Sequence, residues 1–273
     1  MMNESWNITR YSGHNYTPEQ TLSIPSPLEH KSLTPDDVDA ALQSRADLSI
    51  LQATGLDQKS FEHLILRYGN QLRTVCFFSS PDIIDFSPLS GLPLLENVLI
   101  YWNRKAEALW DMQNNTGLKG IQISASKRML LELDAMPTAP NLEEIRLNGD
   151  VLTNHKIRDF STFERCASLK RLSLLGVTVL DGTMEPLFVL TNLEIFDFDP
   201  SLFTMDQIAL LKAKLPMTTG MSLCAYQLDG EDKARVNGKH MPTLKLPKQQ
   251  SLLETYALKF EELMRYYREQ QIV

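Results

Sequence analysis

The run Asp197-Phe198-Asp199 holds two carboxylates two residues apart. On a strand, that spacing puts both acids on one face and turns Phe198 to the other. Paired carboxylates suit a hard divalent cation, so a metal-dependent enzyme using Asp197 and Asp199 is the catalytic reading the chain offers. The plainer reading is two solvated side chains, because Asp and Glu are mostly exposed. Nothing else in the sequence strengthens the catalytic case. The five histidines, His14, His30, His63, His155 and His240, show no H-E-x-x-H or comparable ligand spacing. No serine sits in a G-x-S-x-G elbow, and there is no phosphate-binding glycine loop. The expectation is a protein with no catalytic residues, no cofactor and no resident metal.

Three cysteines, Cys76, Cys166 and Cys224, are too few and too scattered for a disulfide framework. The opening MMNESWNITR has no apolar run after a basic stretch, so a secretory signal is not expected. Asn3, Asn7, Asn15 and Asn114 begin N-x-S/T triplets, which mean nothing without export. No segment approaches the roughly 20 apolar residues of a membrane helix. These features predict a cytoplasmic protein. The 273 residues carry a net charge of −7, which argues against nucleic acid and against anionic membrane surfaces.

What would position such side chains is a repeat. The stretch LEEIRLNGD from Leu142 aligns with LRTVCFFSS from Leu72, LENVLIYWN from Leu95, LKGIQISAS from Leu118, LKRLSLLGV from Leu169 and LEIFDFDPS from Leu193. The steps between starts are 23, 23, 24, 27 and 24 residues. All eighteen residues at offsets 0, +3 and +5 are apolar in a chain that is 43% hydrophobic. Columns that played no part in the alignment agree. Nine residues before the starts from Leu95 onward lie Phe86, Leu109, Leu133, Phe160 and Met184. Six before them lie Leu89, Met112, Met136, Phe163 and Leu187. A step of three suits a helical or 3₁₀ turn, and a step of two suits a strand. Each unit therefore predicts a short strand, a turn and a helical return.

This pattern resembles the leucine-rich-repeat family, L-x-x-L-x-L-x-x-N/C-x-L, over roughly Leu48 to Gln227. The resemblance implies an α/β solenoid, a horseshoe with a parallel sheet on its concave face and helical or 3₁₀ segments on its convex face. The family's Asn/Cys position holds Ser80, Asn103, Ser126, Asp150, Val177 and Ser201. Most are small and polar and can bond the turn backbone; Val177 cannot. The long step between Asp150 and Val177 predicts an irregular loop near residues 151–156.

The expected organisation is an N-terminal segment and cap over 1–47, about seven to eight repeats over 48–227, and a C-terminal loop with an amphipathic capping helix over 228–273. Thr34-Pro35-Asp36-Asp37 is a helix start. Leu48 opens a degenerate first copy followed by a helix over Gln58–Arg67. Met221 and Leu223 suggest a weak eighth strand, Asp229 to Lys239 a loop, and Ser251 to Glu269 a helix.

Strand alternation pushes the remaining residues outward. Phe78, Leu99, Tyr101 and Trp102 fall in the early repeats, and Gln122, Arg146, Arg171, Asp197 and Asp199 in the later ones. Cys76 shares the outward column, whereas Cys166 falls in a core column. Outward aromatics on a sheet are typical interface anchors. An alternative is that the first thirty residues fold over them. The expectation is a non-enzymatic scaffold or adaptor binding a protein partner through the concave face. An inhibitor or immunity-type protein that neutralises another protein is the alternative within that class.

Overall fold

The computed structural model describes residues 20–25, 32–150 and 155–270. Its centre is an eight-stranded sheet in the order β1-β2-β3-β4-β5-β6-β8-β10. These strands are β1 Thr21–Ile24, β2 Ile50–Thr54, β3 Thr74–Phe78, β4 Asn97–Tyr101, β5 Gly120–Ser124, β6 Glu144–Asn148, β8 Arg171–Leu175 and β10 Ile195–Phe198. Every neighbouring pair is parallel, and the register carries one repeat onto the next: Thr74 faces Asn97, Asn97 faces Gly120, Gly120 faces Glu144. The chain is a leucine-rich-repeat solenoid of the α/β class.

The mixed spacing now has its physical cause. All eighteen residues at offsets 0, +3 and +5 are at most 2% exposed. One unit cannot hide its own apolar set, and stacking makes the core continuous. The return segments are short: 3₁₀ turns at Ser87–Gly91 and Met136–Thr138, and single helical turns α3 Ser161–Glu164 and α4 Glu185–Phe188. Their apolar columns, from Phe86 and Leu89 to Met184 and Leu187, are buried against the sheet. Strands sit about 4.8 Å apart while packed helices need about 8–10 Å, so the sheet takes the inner, concave side.

The family's Asn/Cys position works as its polar character suggests. The Asn103 side chain donates to the carbonyls of Ser80 and Ile83 and accepts from the Ala106 N–H. Ser80 and Ser126 accept the N–H groups of Leu56 and Asn103 and donate to Phe78 O and Ser124 O. These side chains satisfy buried turn backbone that would otherwise lack partners.

The caps differ from the expectation in several places. Helices α1 Pro35–Leu42 and α2 Gln58–Tyr68 form where expected, each with a capping box, from Thr34 and from Asp57. Yet β1, inside the N-terminal segment, adds an edge strand by pairing Thr21–Ile24 with Ile50–Ala53. Residues 151–154 of the expected loop lie outside the described residues, but His155 and Lys156 belong to β7 His155–Ile157, which pairs with β9 Val177–Val179. Their side-by-side pairing fills the longest step with a second small sheet.

At the other end the strand expected at Met221 and Leu223 does not form. A single bridge joins Ile195 to Thr219. Hydroxyls close the rest of the edge: Thr218 donates to Leu193 O, Thr219 to Glu194 O and Ser222 to Phe198 O. Gly220 permits this approach, since a Cβ there would lie 1.9 Å from Phe196 O. Met221 is exposed and only Leu223 is buried, so the two do not line a strand's inner face.

The expected loop over Asp229–Lys239 is mostly a hairpin, β11 Tyr226–Asp229 with β12 Lys233–Val236, extended by β13 Thr243–Lys245 into a three-stranded antiparallel sheet. Ala234 and Val236 point in while Lys233 and Arg235 stay out. Helix α5 Met205–Lys214 ends the solenoid, and α6 Gln250–Glu269 packs against it and against β12 and β13, burying Leu253, Phe260 and Met264. The Tyr267 hydroxyl donates to Asp206 Oδ2 at 2.8 Å.

Candidate functional site

The sheet's concave face divides into two parts. On β2–β4 the outward residues Ile50, Cys76 and Leu99 form their own small buried cluster, with Phe78 packed against it. This corrects two expectations. Cys76 is fully buried, and Leu99 is 2% exposed, so neither offers surface. Thr74 and Asn97 are buried beside them, with Asn97 Nδ2 donating to Thr74 Oγ1 at 3.2 Å. Burial pushes the Cys76 thiol up to about 12, which removes it from nucleophilic chemistry near neutral pH. Cys166 is core as expected, its thiol raised to about 11 by burial. The alternative that the first thirty residues fold over this region falls largely on residues 1–19 and 26–30, outside the described residues. Of that segment, Thr21–Ile24 form the strand beside Ile50.

The aromatics expected on this side do come together. Phe78 and Tyr101 stack with ring centroids 4.9 Å apart and planes within 5°. Both are half-buried. Trp102 differs: it is 54% exposed and its φ is +64°. The equivalent turn position in other repeats holds Ser79 at φ +43°, Ala125 at +51° and Gly176 at +63°. In these four copies the turn takes a left-handed residue, whereas the last repeat places Pro200 there. Small residues or glycine fill the other left-handed places, and for a bulky L residue that conformation is strained. An exposed, strained indole is the kind of feature that collects at binding sites.

The second part of the face, from β5 to β10, is polar. Gln122, Arg146, Asp197 and Asp199 are half-exposed, and Arg171 is exposed. Gln122 donates to Ser124 Oγ. Arg146 pairs with Glu144 on its own strand. The two aspartates bond backbone. Asp199 Oδ2 accepts the Gly176 N–H at 2.5 Å, and Asp197 Oδ1 accepts the Met221 N–H at 3.1 Å. One reaches back to the preceding repeat and the other forward to the closing turn, so the pair fixes the last strand to its neighbours. Among the described residues, no group of three or more His, Cys, Asp or Glu is disposed to hold a metal ion.

One column escaped the sequence reading. At offset +1 stand Arg73, Glu96, Lys119, Glu143, Lys170 and Glu194, alternating in sign through six repeats. Arg73 bonds Glu96 at 2.6 Å, and Lys170 bonds Glu143 at 3.0 Å. A one-step slip of any strand would still align offset +1 with a neighbour's different column and break these pairs. The signal was present in the same alignment, one residue before the outward columns. Four of the column's residues, Lys119, Glu143, Lys170 and Glu194, line a shallow polar depression at the strand entrances together with Asn97, Gly120, Glu144 and Arg171.

No helix among the described residues is long and apolar enough to cross a membrane. No protein-family model and no curated protein sequence matches the chain. Among solved structures, an internalin (inlF) from Listeria monocytogenes str. 4b F2365 is similar, with 14% identity and a TM-score of 0.48, over 69% of this chain and 62% of that one. TLR13 in its complex with ssRNA13 is similar at 13% identity and a TM-score of 0.34, over 66% of this chain and 36% of that one. The chain thus spans less than two thirds of the length of either.

Proposed function

We propose that this protein is a non-enzymatic binding module that holds a protein partner, with Trp102 as the anchor. One observation carries the reading: an indole exposed over half its surface at a left-handed turn that three sister repeats fill with Ser79, Ala125 and Gly176. The stacked Phe78 and Tyr101 rings support it, Tyr101 from the strand that leads into Trp102 and Phe78 from the adjoining β3. Leu99 leaves the set of contact residues because it is buried. Gln122, Arg146, Arg171, Asp197 and Asp199 stay on the polar part of the face as rim contacts. Such residues tune association rate and salt dependence more than affinity. The three free thiols suit a reducing, cytoplasmic setting.

Crosslinking from position 102 in the native host, followed by mass spectrometry, names the partner. Calorimetry then tests the anchor. Replacing Tyr101 and Trp102 by Ala should weaken the complex by more than about 2 kcal/mol, because large aromatics concentrate interface energy. Unchanged affinity in that variant would move the binding site off this face.

A further inference from the structure

We infer that the partner segment seated at Trp102 is acidic, and that cations on the strand-exit rim receive its carboxylates. This rests on the protein-binding reading above and adds the partner's chemistry. The chain's net charge is −7, so its surface on average repels acidic partners. The rim beside Trp102 runs against that average. Arg104 and Lys105 follow Trp102 in one repeat, and Lys127 and Arg128 hold the equivalent places in the next. All four are exposed.

The backbone sets the two turns side by side. The Trp102 N–H donates to Ser124 O at 3.0 Å, and the Asn103 N–H to Ser126 Oγ at 3.1 Å. Two of the four cations are already matched: Lys105 pairs with Asp82 at 2.8 Å and Arg128 with Glu107 at 2.6 Å. Arg104 and Lys127 make no ion pair among the described residues. The result is an exposed indole with two unmatched cations beside it. An apolar or aromatic side chain can lie on the indole while flanking carboxylates reach the guanidinium and the ammonium. Arginine's planar fork favours carboxylates in particular.

Single-stranded nucleic acid also combines stacking with cations. It carries a charge at every nucleotide, however, and here Asp82 and Glu107 interleave with the cations on a chain of net negative charge. A peptide can space its carboxylates to avoid those acids, whereas a phosphate backbone cannot. Complementarity therefore favours the acidic protein segment.

The test pans random dodecapeptides displayed on phage against the full chain, with a single-stranded RNA of similar length titrated in parallel. Recovered peptides should combine Asp or Glu with an adjoining apolar or aromatic residue. Their affinity should fall by roughly tenfold or more in the Arg104→Glu/Lys127→Glu variant, and its salt dependence should shrink. Neutral or basic peptides, no binder at all, or RNA bound more tightly than any peptide would overturn the inference. Peptides lost with Trp102→Ala but indifferent to the charge reversal would sink the acidic partner while leaving the anchor reading standing. Peptides indifferent to both variants would sink both. All three positions are exposed, so thermal melts of the variants should match the parent and exclude misfolding as the cause.

Discussion

The two parts of the concave face share one backbone and one register, yet they are different surfaces. Four residues after each repeat start, β3 and β4 place Cys76 and Leu99, both buried, while β6, β8 and β10 place Arg146, Ser173 and Asp197, all half-exposed. Alternation fixes which way a side chain points, and it does so identically in both parts. What lies beyond the face is then set by the chemistry of the column. An apolar outward column is worth hiding, at about 25 cal/mol per Å² of apolar surface removed from water. A charged one is cheapest left in water. The contrast warns against equating outward with solvent-exposed in a repeat protein.

The contrast can be broken most sharply at the cysteines. At pH 8 a thiol alkylating reagent should modify Cys224 in the native protein and leave Cys76 untouched. Cys224 is only half-buried; burial raises its thiol too, but the hydrogen bonds with Tyr226 and Asn237 and the Lys212 charge oppose that shift, and nothing comparable opposes it at Cys76. Burial holds the Cys76 thiol at about 12, so almost none is thiolate at that pH. If access to Cys76 needs an opening that costs about 4–5 kcal/mol, its labelling should lag by roughly a thousandfold or more. Peptide mass mapping over time reads both sites at once. Comparable labelling of Cys76 and Cys224 would show that the early strands present an open face after all.

Substitution at the same column sharpens the comparison next. Leu99→Ala should cost about 2–5 kcal/mol, as a core leucine does, although it points away from the main core. Leu147→Ala, in the main core on β6, should fall in the same range. Arg146→Ala, one residue earlier and facing the other way, should cost less than about 1 kcal/mol, since its side chain is partly exposed and a surface ion pair such as that with Glu144 contributes little. Denaturant melts that placed Leu99→Ala with Arg146→Ala rather than with Leu147→Ala would erase the difference between the two parts.

How much of this was legible in the sequence follows from which signals are periodic. The inward columns repeat six times, so Leu142, Ile145 and Leu147 could be assigned by comparison with five other copies, and the structure buries every one. The ends have no such copies. Residues 229–239 look like a loop because Ala234 and Val236 are small and sit among charges, although Asp229-Gly230 is a hairpin turn signal and Gly230 does take φ +71°. The closing edge was expected as a strand because Met221 and Leu223 alternate. Hydroxyl donation from Thr218, Thr219 and Ser222 does that work instead, and no hydrophobic pattern announces a hydroxyl. At the candidate site, the outward direction of Phe78, Tyr101, Arg146 and Arg171 followed from alternation. The burial of Leu99 and the left-handed turn under Trp102 did not, because both depend on tertiary surroundings and backbone dihedrals.

The smallest expected effect is the one that separates structure from function at the turn. Gly176 and Trp102 share a repeat position and nearly the same φ, +63° and +64°. At Gly176 a Cβ would meet Gly149 Cα at 3.2 Å in a left-handed backbone, so Gly176→Ala should cost about 1–2 kcal/mol. Trp102→Gly is the reverse experiment. Glycine relieves the left-handed strain, worth about 1–2 kcal/mol. Against that stand the unfolded-state freedom of glycine, roughly 0.5–1 kcal/mol, and the contacts of the covered side of the indole. The two sides nearly cancel, so stability should change by no more than about 1 kcal/mol in either direction. Binding should nevertheless collapse, because the anchor is gone. A loss of several kcal/mol of stability in Trp102→Gly would instead make the indole a structural wedge, and the rim would cease to be the place where a partner docks. Unchanged stability with lost binding is what a residue kept at a local conformational cost for a partner must show.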